Sequence, residues 1–439
     1  MYITIHPSIM VSDSGVVTGH RLSTVTTASV TGDAVHELSG ADLAMRLHYL
    51  RILYYFRPGE AVDGTGTPEL KEPMFPALDR FSQVAGRVRK GAGAAGRPHI
   101  KCNDSGVRVV EARCEQTVEE WLEAKGGDWD GRLVPDKVLG PDLSFSPLVF
   151  IQFTRFKGGG LAVGVSWPHV LGDAVSASNF INLWGRLLAG KPPLPNPKNS
   201  APAPPPAPAA ATGAEPPLSL KRAEPDGDDV WLPRTNHRTA TSSFRIAPAK
   251  MEHLRSKMSS RTRVPAFEAV SGLVWKIVAK IRAEHEPTLV TVIRNDRSEQ
   301  RITVLSNSQV ISTVTAGSSP AGLGVEELAA LIGEAGKDER GAIEEAVEKE
   351  DGTGEFIVYG ANLTFVDMGG ADLYSFNIKG QKPECLEYNI GGVGDEGAVV
   401  VLQEPEDDDG GGEVTVTVIL PEHEMPRVKL VLGSEWGIA

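Results

Sequence analysis

Cysteine is scarce in this chain of 439 residues: Cys102, Cys114 and Cys385 are the full set, and no two share a CxxC spacing. So few thiols argue against a disulfide framework and against a zinc site, and leave buried free cysteines in a reducing compartment as the expectation. Runs of Lys and Arg are missing too, and the formal net charge is −13. Without a basic stripe, no nucleic acid is expected as a partner. No apolar stretch approaches the ~20 residues of a membrane span, and the segment Met1-Tyr2-Ile3-Thr4-Ile5-His6 has neither a basic n-region nor an apolar h-region. A cytoplasmic location follows as an expectation, compatible with peripheral attachment to a membrane through a partner. The acids of Glu404–Glu413, with Asp407-Asp408-Asp409 beside Gly410-Gly411-Gly412, lack a fixed ligand spacing. They read as a solvated hairpin loop, and no metal site is expected.

What is present suits a folded interior of two domains: 41% of the residues are hydrophobic, and the length exceeds one ordinary core. Composition shifts at residues 191–228, where Pro-Pro-Leu-Pro at 192–195 leads into an Ala/Pro tract ending near Pro216-Pro217. Such a tract favours extended polyproline conformation and is expected to link a domain at 1–190 to one at 229–439. Ser39-Gly40-Ala41-Asp42 resembles a capping box opening a helix through Leu43, Met45 and Leu50. Residues 68–83 carry Leu70, Phe75, Leu78 and Phe81 at near-helical spacing, broken by Pro73 and Pro76. Two β-rich runs, Leu148–Phe156 and Leu161–Trp167, flank Lys157-Gly158-Gly159-Gly160 and predict a hairpin. A helix follows with Val175, Phe180, Ile181, Trp184, Leu187 and Leu188 on one stripe. Beyond the linker, the pattern predicts a helix at Pro265–Glu286, a strand at Thr288–Arg294, a helical segment at 325–349 and strands at 361–366, 398–402 and 414–420. Interleaved strands and helices make the class α/β.

Chemistry concentrates in Trp167-Pro168-His169-Val170-Leu171-Gly172-Asp173. Pro168 holds Trp167 extended and Gly172 frees the backbone before the helix, placing His169 at a strand end. An imidazole there titrates near neutral pH and is a candidate general base. Asp173 reads as a helix N-cap or as an anionic partner that orders the turn.

The run from Phe156 to Asp173, a glycine hairpin ahead of an HxxxD turn, resembles the BAHD acyl-CoA-dependent acyltransferases. Val84-Ala85-Gly86-Arg87 is similar to that family's AGR segment, Ile100–Val107 to the strand-turn-strand after it, and Val264–Lys276 to its helix beyond the crossover loop. The resemblance implies two chloramphenicol-acetyltransferase-like domains, each a mixed sheet flanked by helices, joined by a long crossover loop and meeting at a solvent channel. It implies acyl-CoA as substrate or ligand, no bound cofactor and no metal, with His169 deprotonating an alcohol or amine acceptor. It also implies an arginine partner for Asp173, best matched by Arg294, with Gly172 supporting the turn.

The family's second motif, DFGWG followed by a basic residue and proline, is degenerate here as Phe376-Asn377-Ile378-Lys379-Gly380-Gln381-Lys382-Pro383. Anchoring on Lys382-Pro383 puts Asn377 at the aspartate position, whereas anchoring on Phe376 puts Ser375 there. With Gly380 and Thr364 of Leu363-Thr364-Phe365, Asn377 is the resemblance's candidate for the oxyanion and channel wall. Thr364 also reads as an ordinary strand threonine, the reading its setting favours. Together with Gly19–Val25, His36–Leu50 and Gly392–Gly397, the degenerate motif resembles the eceriferum/glossy branch of plant wax proteins. That branch implies a role in lengthening very-long-chain acyl-CoAs for cuticular wax beside the elongase condensing enzyme at the endoplasmic reticulum, with the chain a monomer when alone. An active acyltransferase with His169 as base is the alternative.

Overall fold

The structure, a computed structural model, describes residues 15–91, 96–135, 146–193, 216–223, 225–226, 229–233, 237–258, 263–296, 305–334, 336–405 and 412–438. In the first half these form β1 (Val17–Val25), α1 (Gly40–Ala44), β2 (Tyr49–Phe56), α2 (Thr67–Lys71), α3 (Met74–Arg80), β3 (Val107–Cys114), β4 (Phe150–Phe156), β5 (Leu161–Pro168) and α4 (Ala174–Leu188). The second half adds β6 (Thr239–Ile246), α5 (Ala266–Arg282), β7 (Leu289–Arg294), β8 (Val310–Thr315), α6 (Val325–Gly333), β9 (Lys337–Asp338), α7 (Arg340–Glu348), β10 (Leu363–Asp367), β11 (Cys385–Gly391), β12 (Ala398–Gln403), β13 (Val414–Pro421) and α8 (Met425–Trp436).

Two mixed sheets organise the molecule, ordered β1-β3-β4-β5-β2-β11 and β6-β13-β12-β10-β7-β8-β9. Among the described residues, parallel pairing is confined to β3 with β4 in the first sheet and to β10 with β7 and with β12 in the second. The α/β expectation therefore holds. The contiguous division into 1–190 and 229–439 does not describe the sheets, however, because β11 comes from the second half and pairs with β2 from Cys385↔Tyr55 to Gly391↔Tyr49. Of the expected linker, residues 194–215 lie outside the described residues. Its end is pinned to the second half: Lys221-Arg222 pairs with Phe356-Ile357, and the Ser219 N–H donates to Glu339 at 2.8 Å.

Local chemistry explains most boundaries. Ser39 and Asp42 exchange the two bonds of a capping box and start α1, as expected. The helix nevertheless ends at Ala44 rather than reaching Leu50. The aromatic and branched run from Tyr49 to Phe56 pairs on one side with β5 and on the other with β11, so sheet formation overrides the helical reading. Pro73 separates α2 from α3. The β4–β5 hairpin turns on Gly158, Gly159 and Gly160, all at positive φ, and a Cβ on Gly160 would lie 2.7 Å from the Phe56 carbonyl oxygen. The single helical segment expected at 325–349 is two helices around β9. Gly336 lets the chain return against β8, since a Cβ there would sit 1.8 Å from the Thr313 carbonyl oxygen. The Glu404–Glu413 loop joins β12 to β13 in antiparallel register, and its acids at 407–409 lie outside the described residues.

The AGR segment shows how sequence, turn and packing connect. Buried Arg87 donates to the carbonyls of Gly86 (2.7 Å), Gly106 (3.1 Å) and Ser105 (3.1 Å), clamping the turn that enters β3. A lysine supplies charge without the planar fork. Arg87→Lys is expected to cost about 2–4 kcal/mol, since bonds to a buried charged group go unmade, and urea titration would read this as a lower midpoint at unchanged slope.

Candidate functional site

The HxxxD turn is built by three local devices. The Trp167 indole Nε1 donates to the Gly172 carbonyl at 2.9 Å, folding the segment back on the end of β5. His169–Leu171 then make one 3₁₀ turn, and Gly172 leaves it at φ +135°. A Cβ on Gly172 would meet the Ser306 nitrogen at 2.8 Å, so the position has room for hydrogen only. Asp173 caps α4, its Oδ1 accepting from the Ser176 N–H at 3.0 Å.

A strap from the second half, residues 305–309, lies directly over this turn. Ser306 is bonded through both of its backbone groups: the Asp173 N–H donates to its carbonyl (3.2 Å), and its own N–H donates to Ser176 Oγ (3.0 Å). The Ser308 N–H and hydroxyl both donate to Asp173 Oδ2, at 3.1 and 3.3 Å. The Asp173 carboxyl is pushed above the usual carboxylate range by burial, against those donors. Between the two serines, the Asn307 Nδ2 donates to the His169 carbonyl at 2.6 Å, and Asn307 Oδ1 lies 3.4 Å from His169 Nδ1. The His169 ring is enclosed as a result, with the residue only 2% exposed.

A second histidine backs the site and was not singled out from sequence. The His48 carbonyl accepts the His169 N–H at 2.9 Å. Its Nε2 accepts the N–H groups of Val358 (3.0 Å) and Tyr359 (3.3 Å), which holds that ring neutral with its proton on Nδ1. Tyr359 stands between the two imidazoles, 4.8 Å from His48 and 5.2 Å from His169 by ring centroids, and its hydroxyl donates to Gln309 at 3.0 Å. His48 sits inside the quoted segment His36–Leu50, but nothing in its spacing distinguishes it from a core residue.

Several expected site residues fall elsewhere. Arg294 does not meet Asp173: its NH2 donates to Glu268 (2.9 Å) and to the Ile332 carbonyl (3.0 Å), and its guanidinium stacks 5.0 Å from the Phe267 ring. Ser308 and Ser176 take the place foreseen for it. Thr364 is buried, but its one hydroxyl proton goes to the Asn362 carbonyl at 2.7 Å while its oxygen accepts from the Gly360 N–H at 3.1 Å. It orders a turn and has no proton left for an oxyanion. Asn377 caps its own loop, accepting from the Gly380 N–H at 2.8 Å and donating to Ser375 at 3.0 Å. Phe376 anchors that loop on Tyr54 (4.9 Å) and Trp184 (5.0 Å), beside Gly185 of α4. That is ~18 Å along the helix from Asp173, at ~1.5 Å per residue. Asn377 and exposed Gly380 therefore stabilise the far end of α4, away from His169.

A cavity of about 660 Å³ lies at the seam of the lobes, walled by Arg51 and Asn389 of the first sheet, Trp129, Thr241 of β6 and Met425 and Lys429 of α8. Among the described residues, His169 lines neither this seam cavity nor the small one walled by Met45, Asn307 and Gln309.

The sequence matches the profile of the Transferase family over residues 16–315. The chain belongs to this family, the BAHD-type acyltransferases. Among BAHD relatives, Protein ECERIFERUM 26 of Arabidopsis thaliana is 41% identical over 418 residues, covering 95% of each chain. Protein ECERIFERUM 2 of the same plant is 38% identical over 425 residues, covering 94% of this chain and 97% of that one. The crystal structure of vinorine synthase superposes with a TM-score of 0.66 at 18% identity, covering 92% of this chain and 95% of that one, which shows the shared two-lobed BAHD fold.

Burial ties this site to acid stability. It pulls His169 down to about 4 and His48 down to about 3, from an ordinary 6.5. Below 6.5 the unfolded chain takes up these protons and the folded one does not, so the rings' contribution is full above that pH. It is lost progressively down to about 4 for His169 and about 3 for His48. Asp173 has the opposite sign, its raised carboxyl favouring the folded state as pH falls through its own range. The urea midpoint is expected to drop between pH 7 and pH 4, and His169→Gln is expected to make that drop shallower.

Proposed function

We propose that this BAHD protein promotes very-long-chain fatty acyl-CoA elongation for cuticular wax, acting in the cytoplasm as an accessory to the condensing enzyme of a fatty acid elongase, at the endoplasmic reticulum through that partner. The observation that carries the reading is the strap over His169. Acyl transfer requires a thioester and an acceptor within hydrogen-bond reach of the ring. Here Asn307 and Tyr359 stand against the ring, and the residue is buried. The identity to two proteins named ECERIFERUM, over nearly the whole chain, supports the same branch. Acyl-CoA is the ligand this reading calls for, with no bound cofactor and a monomer in isolation.

A second reading, transfer of an acyl group from CoA to an alcohol or amine with His169 as base, keeps one observation in its favour. Asn307 Oδ1 faces Nδ1, so Nε2 is the bare nitrogen, as general-base catalysis would need. It requires Nε2 to be reached by both substrates, although the residue is 2% exposed.

Co-expression with a plant condensing enzyme in yeast, followed by acyl-chain analysis, separates the two. The accessory reading expects longer acyl products that persist when His169→Ala replaces the wild type at equal protein level. Products that shorten with His169→Ala would transfer the case to chemistry at the ring, and no lengthening with either form would sink the wax assignment.

A further inference from the structure

Asp42 lies outside the HxxxD motif, yet it reaches the same imidazole through one intermediate. Its carboxylate is buried and accepts four bonds. Oδ2 takes the N–H and hydroxyl of Ser39, at 2.9 and 2.7 Å. Oδ1 takes the backbone N–H of Asn307 at 3.1 Å and its side-chain Nδ2 at 2.9 Å. A carboxylate only accepts, so the Asn307 group facing it must be NH₂. The His169 carbonyl, 2.6 Å from the same Nδ2, takes a second bond from that group, so the two acceptors hold the amide together.

With the amide fixed this way round, its oxygen is left toward the imidazole, 3.4 Å from Nδ1. An acceptor there favours a proton on Nδ1 and leaves the lone pair on Nε2. No donor to Nε2 occurs among the described residues. We infer that Asp42 is a positioning residue which, through the side chain of Asn307, sets the His169 tautomer to Nδ1–H. Any ligand group that reaches Nε2 then has to be a hydrogen-bond donor: a hydroxyl, an amine or a thiol. A carbonyl or carboxylate oxygen is refused at that atom. The assignment goes beyond the accessory reading and holds whether or not acyl transfer occurs, because it concerns where one proton resides.

The relay also fits the architecture. Ser39 and Asp42 belong to the capping box of α1, so the helix start that fixes local structure in the first half also holds a residue of the second. His48 supplies an internal reference, since its Nε2 accepts two backbone N–H groups independently of Asp42.

The test is a long-range proton–nitrogen correlation spectrum of the full chain labelled with ¹⁵N-histidine near pH 7.5, with the His169 signals identified by their loss in His169→Gln. The wild type is expected to show a protonated Nδ1 and a bare Nε2 at His169. Asp42→Asn, which replaces the charged one of the two acceptors holding the Asn307 NH₂ with a weaker neutral one, and Asn307→Ala, which removes the acceptor at Nδ1, are each expected to shift His169 toward Nε2–H while the His48 pattern stays as in the wild type. A wild-type His169 carrying its proton on Nε2 would overturn the inference, whatever the variants do. So would an unchanged His169 pattern in either variant with His48 intact. If Asp42→Asn loses the His48 pattern and so does not fold, Asn307→Ala decides, because it leaves the bond from the Asn307 backbone N–H to Asp42 in place.

Discussion

The Asp173 carboxyl and the strap that serves it set the form of this molecule's centre. A carboxyl nearly sealed from water is costly unless donors replace the lost solvent. α4 supplies one through the Ser176 N–H, and the others come from Ser308, in the opposite half of the chain. The helix cap is therefore completed only when the two halves close on each other. The contact that completes it also lays Asn307 across His169, so the polar bonding of the turn and the burial of its imidazole are one event.

Other contacts between the halves follow the same logic of shared satisfaction. β11 leaves the second half to pair with β2, supplying the edge of the first sheet with backbone partners. His48, just before β2, accepts the N–H groups of Val358 and Tyr359 and so ends an otherwise unpaired piece of second-half backbone. Buried polar groups that need a partner from across a seam make separation costly, since each would be left unsatisfied. The cavity of about 660 Å³ at the seam lies apart from the histidine.

Legibility in the sequence tracked how local each interaction is. The capping box at Ser39 and Asp42, the glycine hairpin and the N-cap role of Asp173 depend on neighbours within a few residues, and each was readable from spacing. The extension of α1 toward Leu50 failed because the partners of β2 lie more than a hundred residues away. Arg294 failed differently: its strand was placed well, but the facing elements were unknown, and they proved to be Glu268 and Phe267. Thr364 and Asn377 have their hydrogen-bonding capacity absorbed by adjacent backbone, which motif matching does not see.

By itself, the sequence determined a BAHD-type α/β chain with an HxxxD turn at the end of a glycine hairpin, because periodicity, capping and turn chemistry are short-range and written in adjacent residues. Only the tertiary structure decided that this turn is covered. Ser306, Asn307 and Ser308 are ordinary loop residues until closure places them 130 to 138 positions back along the chain, where backbone N–H groups and one amide side chain find the carboxyl and the imidazole that require them.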